Sequence, residues 1–118
     1  MEIPQQLQDK LAQFQNLQNQ LQMVSVQRQQ LQMQSADVSN AKKELEKAAA
    51  DGKVYRLVGP MFIETNKAEG LEYLIDEDES AQTKIKVLEK QEKKLTEKLN
   101  DMRTELTSMM KPPVGGSP

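Results

Sequence analysis

Residues that commonly carry catalytic chemistry are scarce in this sequence. Its 118 residues include no histidine and no cysteine, which rules out imidazole bases, thiolate metal sites and disulfides. The remaining candidate nucleophiles are serines, threonines and lysines, and none lies in a recognisable base or oxyanion motif. Gly52, Gly59 and Gly70 form no phosphate-binding loop. We therefore predict a protein that is not an enzyme and that uses no cofactor.

The acidic run at residues 76–79 is the other cluster that could do chemistry. It lacks the ligand spacing and the glycine of a calcium-binding loop, so we predict no metal site. We interpret it as a solvated surface, with a kink or a short break in a helix as the alternative. The net charge is −2, and the lysines of residues 84–98 are mixed with acids without interleaved aromatics. Nucleic-acid binding is therefore not expected.

The composition favours long helices over a conventional globular core. Apolar residues make up 36% of the chain, aromatic residues 3% and charged residues 29%. Such a chain is either disordered or built from helices that bury only a stripe, and its length predicts a single domain. Because it has no run of about twenty apolar residues and no signal-peptide core, we expect a cytoplasmic protein that does not enter a membrane.

Apolar residues recur every seven positions before residue 50, which predicts a coiled-coil helix over residues 5–50. Thirteen of the first 34 residues are glutamine, so a disordered glutamine-rich segment is the alternative. A disordered tract has no reason to repeat leucine with this period. A second register begins at Leu7 and turns polar from Arg28 onward. The first register contains Leu17, Val24, Leu31, Val38 and Leu45.

The heptad pattern resumes after residue 70 and continues to Met109, interrupted by Asp78 and Glu92. It predicts a second coiled-coil helix over residues 67–110. Proline and glycine dominate residues 111–118, which we predict to be a disordered tail.

The central segment, residues 53–66, differs from both helical patterns. Two short runs of apolar, aromatic and β-branched residues flank Gly59-Pro60, which predicts a β-hairpin. A lone hairpin has two unpaired edges and is marginally stable, so we expect it to assemble with other subunits. The spacing leaves open which face meets the neighbours. The candidate assembly residues are Val54, Tyr55, Leu57, Val58, Met61, Phe62 and Ile63.

Two helical patterns of similar length on either side of a hairpin predict a mainly α fold, namely a long antiparallel two-helix coiled coil joined by the hairpin. Folding the chain about residue 60 brings Arg28 level with Glu92 and Lys42 level with Asp78. Four charges that interrupt the apolar seams would then form pairs of opposite sign. We interpret these pairs as determinants of the register between the helices.

Apolar residues also occur where the predicted helix pairing should fray, at the end remote from the hairpin. Methionine is flexible and suits adaptable hydrophobic contact, so this end is a candidate binding surface. For Leu7 and Met109, an ordinary place in the seam is the favoured alternative. The candidate residues are Ile3, Leu7, Met109 and Met110.

The chain resembles archaeal prefoldin beta subunits in IPQQLQDKLAQFQNLQNQLQ, VYRLVGPMFIET and LEKQEKKLTEKL. The likeness extends from about Ile3 to Met110, and room for one hairpin favours the beta type over the alpha type. It implies an ATP-independent holdase, a hexamer of alpha-type and further beta subunits joined through hairpins. The coiled-coil tips would hold unfolded client proteins and deliver them to a group II chaperonin. Gly70 and the acidic run depart from the regular helix expected there.

Two other functions compete with this interpretation. A purely structural coiled-coil spacer or tether would need the hairpin for assembly but would gain nothing from apolar termini. A regulatory adaptor that docks one specific helix would need a continuous apolar groove, and the polar seam residues Arg28, Ser35 and Lys42 argue against one.

Charge reversal tests the predicted register pairs. We expect Glu92→Arg to lower the free energy of unfolding because it places two cations together, and Arg28→Glu to restore part of the loss. A double-mutant cycle by chemical denaturation measures the coupling. Additive effects of the two substitutions would contradict the pairing.

Overall fold

A computed structural model of the protein describes residues 4–110 and contains two long helices separated by two short strands. In order these are α1 (Gln5–Glu46), β1 (Val54–Val58), β2 (Met61–Thr65) and α2 (Lys67–Met110). The predicted mainly α fold with a central β-hairpin is confirmed. The tail at 111–118 and the candidate residue Ile3 lie outside the described residues. None of the described helices is long and apolar enough to cross a membrane.

Burial along each helix follows the heptad pattern. In α1, residues 7–45 are least exposed at alternating steps of three and four, and both predicted registers lie on this stripe. In α2 the same spacing holds from Leu71 to Leu106. Each helix therefore buries one narrow seam, as expected for a coiled coil.

The chain divides into two compact units. One consists of residues 4–27 and 88–110 among those described, and the other of residues 28–87. The first unit buries Leu99 and Leu106, and the second buries Ala81 and Ile85. All four residues belong to α2, so this helix supplies the most deeply buried apolar side chains of both units.

Contacts within each unit show that the helices pair antiparallel. In the first unit Lys10 forms an ion pair with Glu105, and Ser25 donates a hydrogen bond to Glu92. In the second unit the hydroxyl of Ser35 donates a hydrogen bond to the carboxylate of Asp78 at 2.9 Å. Leu45 approaches Gly70 in that same unit. As the residue number rises along α1, the number of its partner on α2 falls.

The first helix ends at Glu46, four residues earlier than the sequence predicted. Its last turn tightens, because Lys47 and Ala48 each bond to the carbonyl three residues before them. The ammonium group of Lys67, at the start of α2, donates hydrogen bonds of 2.9 Å to the carbonyls of Glu46 and Ala48. A cation at a helix C-terminus both satisfies free carbonyls and complements the helix dipole.

The second helix begins with a side-chain cap and continues without a break. The side-chain oxygen of Asn66 accepts a hydrogen bond of 2.8 Å from the backbone N–H of Glu69. A β-carbon on Gly70 would lie 2.8 Å from a methyl group of Leu45, so glycine permits close packing of the two helices here. Residues 76–79 are fully helical, so the short break considered above does not occur.

The double contact of Lys67 predicts that Lys67→Met will destabilise the fold. The substitution keeps the aliphatic stem but leaves two carbonyls without their donor, at an expected cost of about 1–2 kcal/mol. Thermal unfolding followed by circular dichroism measures the effect. Lys67→Arg should lose less because it keeps the charge, and Lys84→Met, on the exposed surface of α2, serves as the matched control. Equal unfolding temperatures for Lys67→Met and the control would contradict this role.

Candidate interaction surfaces

The hairpin has a two-residue turn and a fixed register. Val58 pairs with Met61 next to the turn, and the ladder ends with Val54 opposite Thr65. Gly59 has a φ of 57°, a conformation that other residues rarely adopt. Since the proline that follows it is confined to negative φ, the turn is of type II′, which matches the twist of paired strands.

The register assigns the hairpin side chains to two faces. Alternation along each strand places Tyr55, Leu57 and Phe62 on one face. The guanidinium carbon of Arg56, on the other face, lies 3.8 Å from the centre of the Tyr73 ring of α2. This cation–π contact fixes the base of the hairpin against the helix. Tyr55, Leu57 and Phe62 therefore lie on the face opposite the one that contacts Tyr73.

Most of the predicted assembly residues are exposed. Phe62 is 72% exposed, and only Val54 of the seven is half-buried. Among the described residues the two strands form a sheet of their own, so each has an unpaired edge. Exposed apolar faces together with open edges favour pairing with another chain. The exposed members of the set are Tyr55, Leu57, Val58, Met61, Phe62 and Ile63.

A cleft of about 290 Å³ lies where the hairpin meets the two helices. Its apolar lining includes Leu45, Val54 and Leu74, and the Arg56–Tyr73 pair also borders it. The cleft lies within the unit of residues 28–87. It continues the exposed hairpin surface, because Tyr55 and Leu57 line both.

Polar residues occupy the helix seam at two levels. In one unit Ser35 is 9% exposed and joins Asp78 to Gln82, whose amide donates a 2.8 Å hydrogen bond to the serine hydroxyl. In the other unit the hydroxyl of Ser25 donates a 3.0 Å hydrogen bond to the carboxylate of Glu92. Sequence reasoning placed Ser35 on the seam but missed both serine contacts, because they depend on which residues of the other helix lie opposite.

The serine contacts indicate an alignment of the two helices that differs from the one obtained by folding the sequence about residue 60. Ser35, seven residues before Lys42, contacts Asp78. Arg28 itself donates a 2.8 Å hydrogen bond to Gln32 within α1. The proposed pairs of Arg28 with Glu92 and of Lys42 with Asp78 stay predictions.

In the unit of residues 4–27 and 88–110, the C-terminal end of α2 becomes progressively exposed. Leu106 is 6% exposed, whereas Met109 is 38% and Met110 is 66% exposed. Leu7 is half-buried on the α1 stripe. Met109 continues the seam spacing of α2 and is nevertheless exposed, so an apolar surface follows the last buried layer.

Comparison with known proteins decides the family. The sequence profile described as "Prefoldin subunit" matches residues 8–112, which is most of the chain. This chain belongs to the prefoldin subunit family. The resemblance predicted from the central VYRLVGPMFIET segment and the two helical patterns is confirmed.

Individual relatives cover almost the whole chain. It is 39% identical to prefoldin subunit beta of Thermococcus gammatolerans over 114 residues, which are 97% of each protein. Identity with prefoldin subunit beta of Pyrococcus furiosus is 32% over the same length, again 97% of each. The crystal structure of the prefoldin beta subunit from Thermococcus strain KS-1 superposes with a TM-score of 0.85 at 35% identity, over 95% of this chain and 98% of that one.

The exposed hairpin face predicts that Leu57→Ser with Phe62→Ser will abolish assembly. These paired residues are mostly exposed and carry much of the apolar surface available to a neighbour, so the two helices should still form in the variant. Native mass measurement of the chain, alone and mixed with a prefoldin alpha-type subunit, follows the oligomer. The control is Ile75→Ser with Val87→Ser, two exposed apolar positions on α2. Wild-type assembly by the hairpin variant would contradict the prediction.

Proposed function

We propose that the chain is a subunit of an ATP-independent chaperone that holds non-native polypeptides at the end of its helix pair. The observation that carries the proposal is the exposure of Met109 and Met110 beyond the last buried layer at Leu106. Methionine adapts to irregular apolar partners without demanding one shape. Membership of the prefoldin subunit family supports this function.

Assembly strengthens a contact that is weak by itself. Two methionines bury little surface, so one helix pair binds a client only loosely. The open edges and the exposed apolar face of the hairpin supply a means of joining several subunits. Several ends that contact one client then act at a high effective concentration, which raises the total affinity.

The partners follow from the same proposal. The hairpin joins a prefoldin alpha-type subunit and further beta copies into a hexamer, and unfolded clients pass from the hexamer to a group II chaperonin in the cytoplasm. Binding removes exposed apolar segments from solution and lowers aggregation without a chemical step. A purely structural spacer would make no use of Met110, which is 66% exposed.

The proposal predicts that Met109→Gln with Met110→Gln will weaken holdase activity. Glutamine keeps the helix propensity and the approximate side-chain size but removes the apolar surface. Aggregation of a chemically denatured protein, followed by light scattering, should require several-fold more of this variant than of the wild type for equal suppression.

Two controls make this result specific. The oligomeric mass of the variant should equal that of the wild type, because the hairpin is untouched. Ile75→Gln with Val87→Gln removes exposed apolar surface elsewhere on α2 and should leave suppression unchanged. Full activity of the Met109 and Met110 variant would refute binding at this end.

A further inference from the structure

A second apolar surface lies on α1, away from the seam. Met23 is 64% exposed and Val26 is 45% exposed, and both lie outside the heptad registers. The outer positions of a two-helix coiled coil are normally charged or polar, because they face water. No residue between Leu11 and Gln27 is charged. Neither helix pairing nor solubility accounts for two exposed apolar side chains in this stretch.

Two open grooves include Met23 in their linings. One, of about 340 Å³, is also lined by Val24 of α1 and by Lys94 and Leu95 of α2. The other is lined by side chains of α1 alone, including Gln22 and Val26. All of these residues belong to the unit of residues 4–27 and 88–110. We call this surface the Met23 patch, made of Asn19, Gln20, Gln22, Met23, Val24, Val26, Gln27, Gln91, Lys94 and Leu95.

The chemistry of the patch fits an extended, weakly charged polypeptide. Glutamine and asparagine amides both donate and accept hydrogen bonds, so they can serve a peptide backbone that has no secondary structure of its own. A docked helix would instead need apolar anchors repeated at helical spacing. Here Gln27 and Gln30 follow Met23 and Val26 on α1, and the next exposed apolar residue of this helix, Met33, belongs to the other unit. Lys94 is the single charged residue of the patch, so the patch complements segments of low charge, the kind that aggregate most readily.

The Met23 patch lies within reach of the proposed client-binding residues Leu7, Met109 and Met110. Leu7 and Met23 are sixteen residues apart on one helix, which corresponds to about 24 Å along its axis. About seven residues of extended chain span that distance. One client segment can therefore contact both surfaces, and two weak contacts on one chain reinforce each other.

We propose that the Met23 patch is a second contact site for unfolded, weakly charged polypeptide segments. This inference rests on the proposed holdase function and extends it from the end of the helix pair to the outer surface of α1. Met23 and Val26 supply the apolar contacts, and the neighbouring amides bind the backbone of the client.

Site-specific photocrosslinking tests the proposal directly. A benzophenone amino acid replaces Met23 or Val26 in the full-length chain, in the oligomer that it forms, with a synthetic unstructured peptide of low net charge as the unfolded probe. Lys43, an exposed residue of the same helix in charged surroundings, provides the control position. We expect probe crosslinks at residues 23 and 26 to exceed those at 43 several-fold. Crosslinks mainly to a second copy, or yields equal to the control, would overturn the proposal.

A substitution series separates this inference from the proposed function. Met23→Gln with Val26→Gln keeps the helix neutral and should weaken probe binding about threefold, the effect of losing two partly buried apolar contacts. Ile75→Gln with Val87→Gln serves as the control. If the Met109 and Met110 variant weakens binding while the Met23 and Val26 variant does not, the further inference fails and the proposed function stands. Wild-type binding by both variants would refute both.

Discussion

The fold depends on one narrow seam along each of two long helices. Only Ala81, Ile85, Leu99 and Leu106 are buried apolar residues among those described, and all belong to α2. Because the seam uses so few side chains, the other surfaces of the helices are available for solvent or for partners. Polar residues are also tolerated within the seam. Ser35 fills a seam position, and its hydroxyl is hydrogen-bonded to Asp78 and Gln82 of the opposite helix, so its burial leaves no unpaired side-chain polar group.

Much of this architecture could be predicted because its determinants are local in sequence. Heptads define each helix without knowledge of the other, and Gly59-Pro60 marks the turn of the hairpin by backbone restrictions alone. The predicted end of α1 was wrong by four residues because the observed end depends on a residue that is distant in sequence. Ala48, Ala49 and Ala50 are strong helix formers, and the helix ends at Glu46 where a side chain from the distant Lys67 binds its carbonyls.

The sequence predicted which residue types form the candidate surfaces but not how those residues are oriented. The residue types of the hairpin indicated an assembly element, yet only the position of Arg56 over Tyr73 shows which face is directed toward the helix. The role of Gly70 in helix packing could not be predicted from the sequence either. In the sequence it looks like a flaw in a helix, whereas in the structure it lies against Leu45 of the other helix. Contacts of this kind depend on which residues meet across the pair, and one sequence does not specify that register closely enough.

The contacts of Lys67 couple the two helix ends that flank residues 47–66. This one residue begins α2 and also holds the carbonyls at the end of α1, so it closes residues 47–66 into a loop at its base. Fraying of either helix end breaks the contacts that secure the other. Amide hydrogens at the two helix ends should therefore exchange with solvent in a single concerted opening, and the hairpin would move as one cooperative unit.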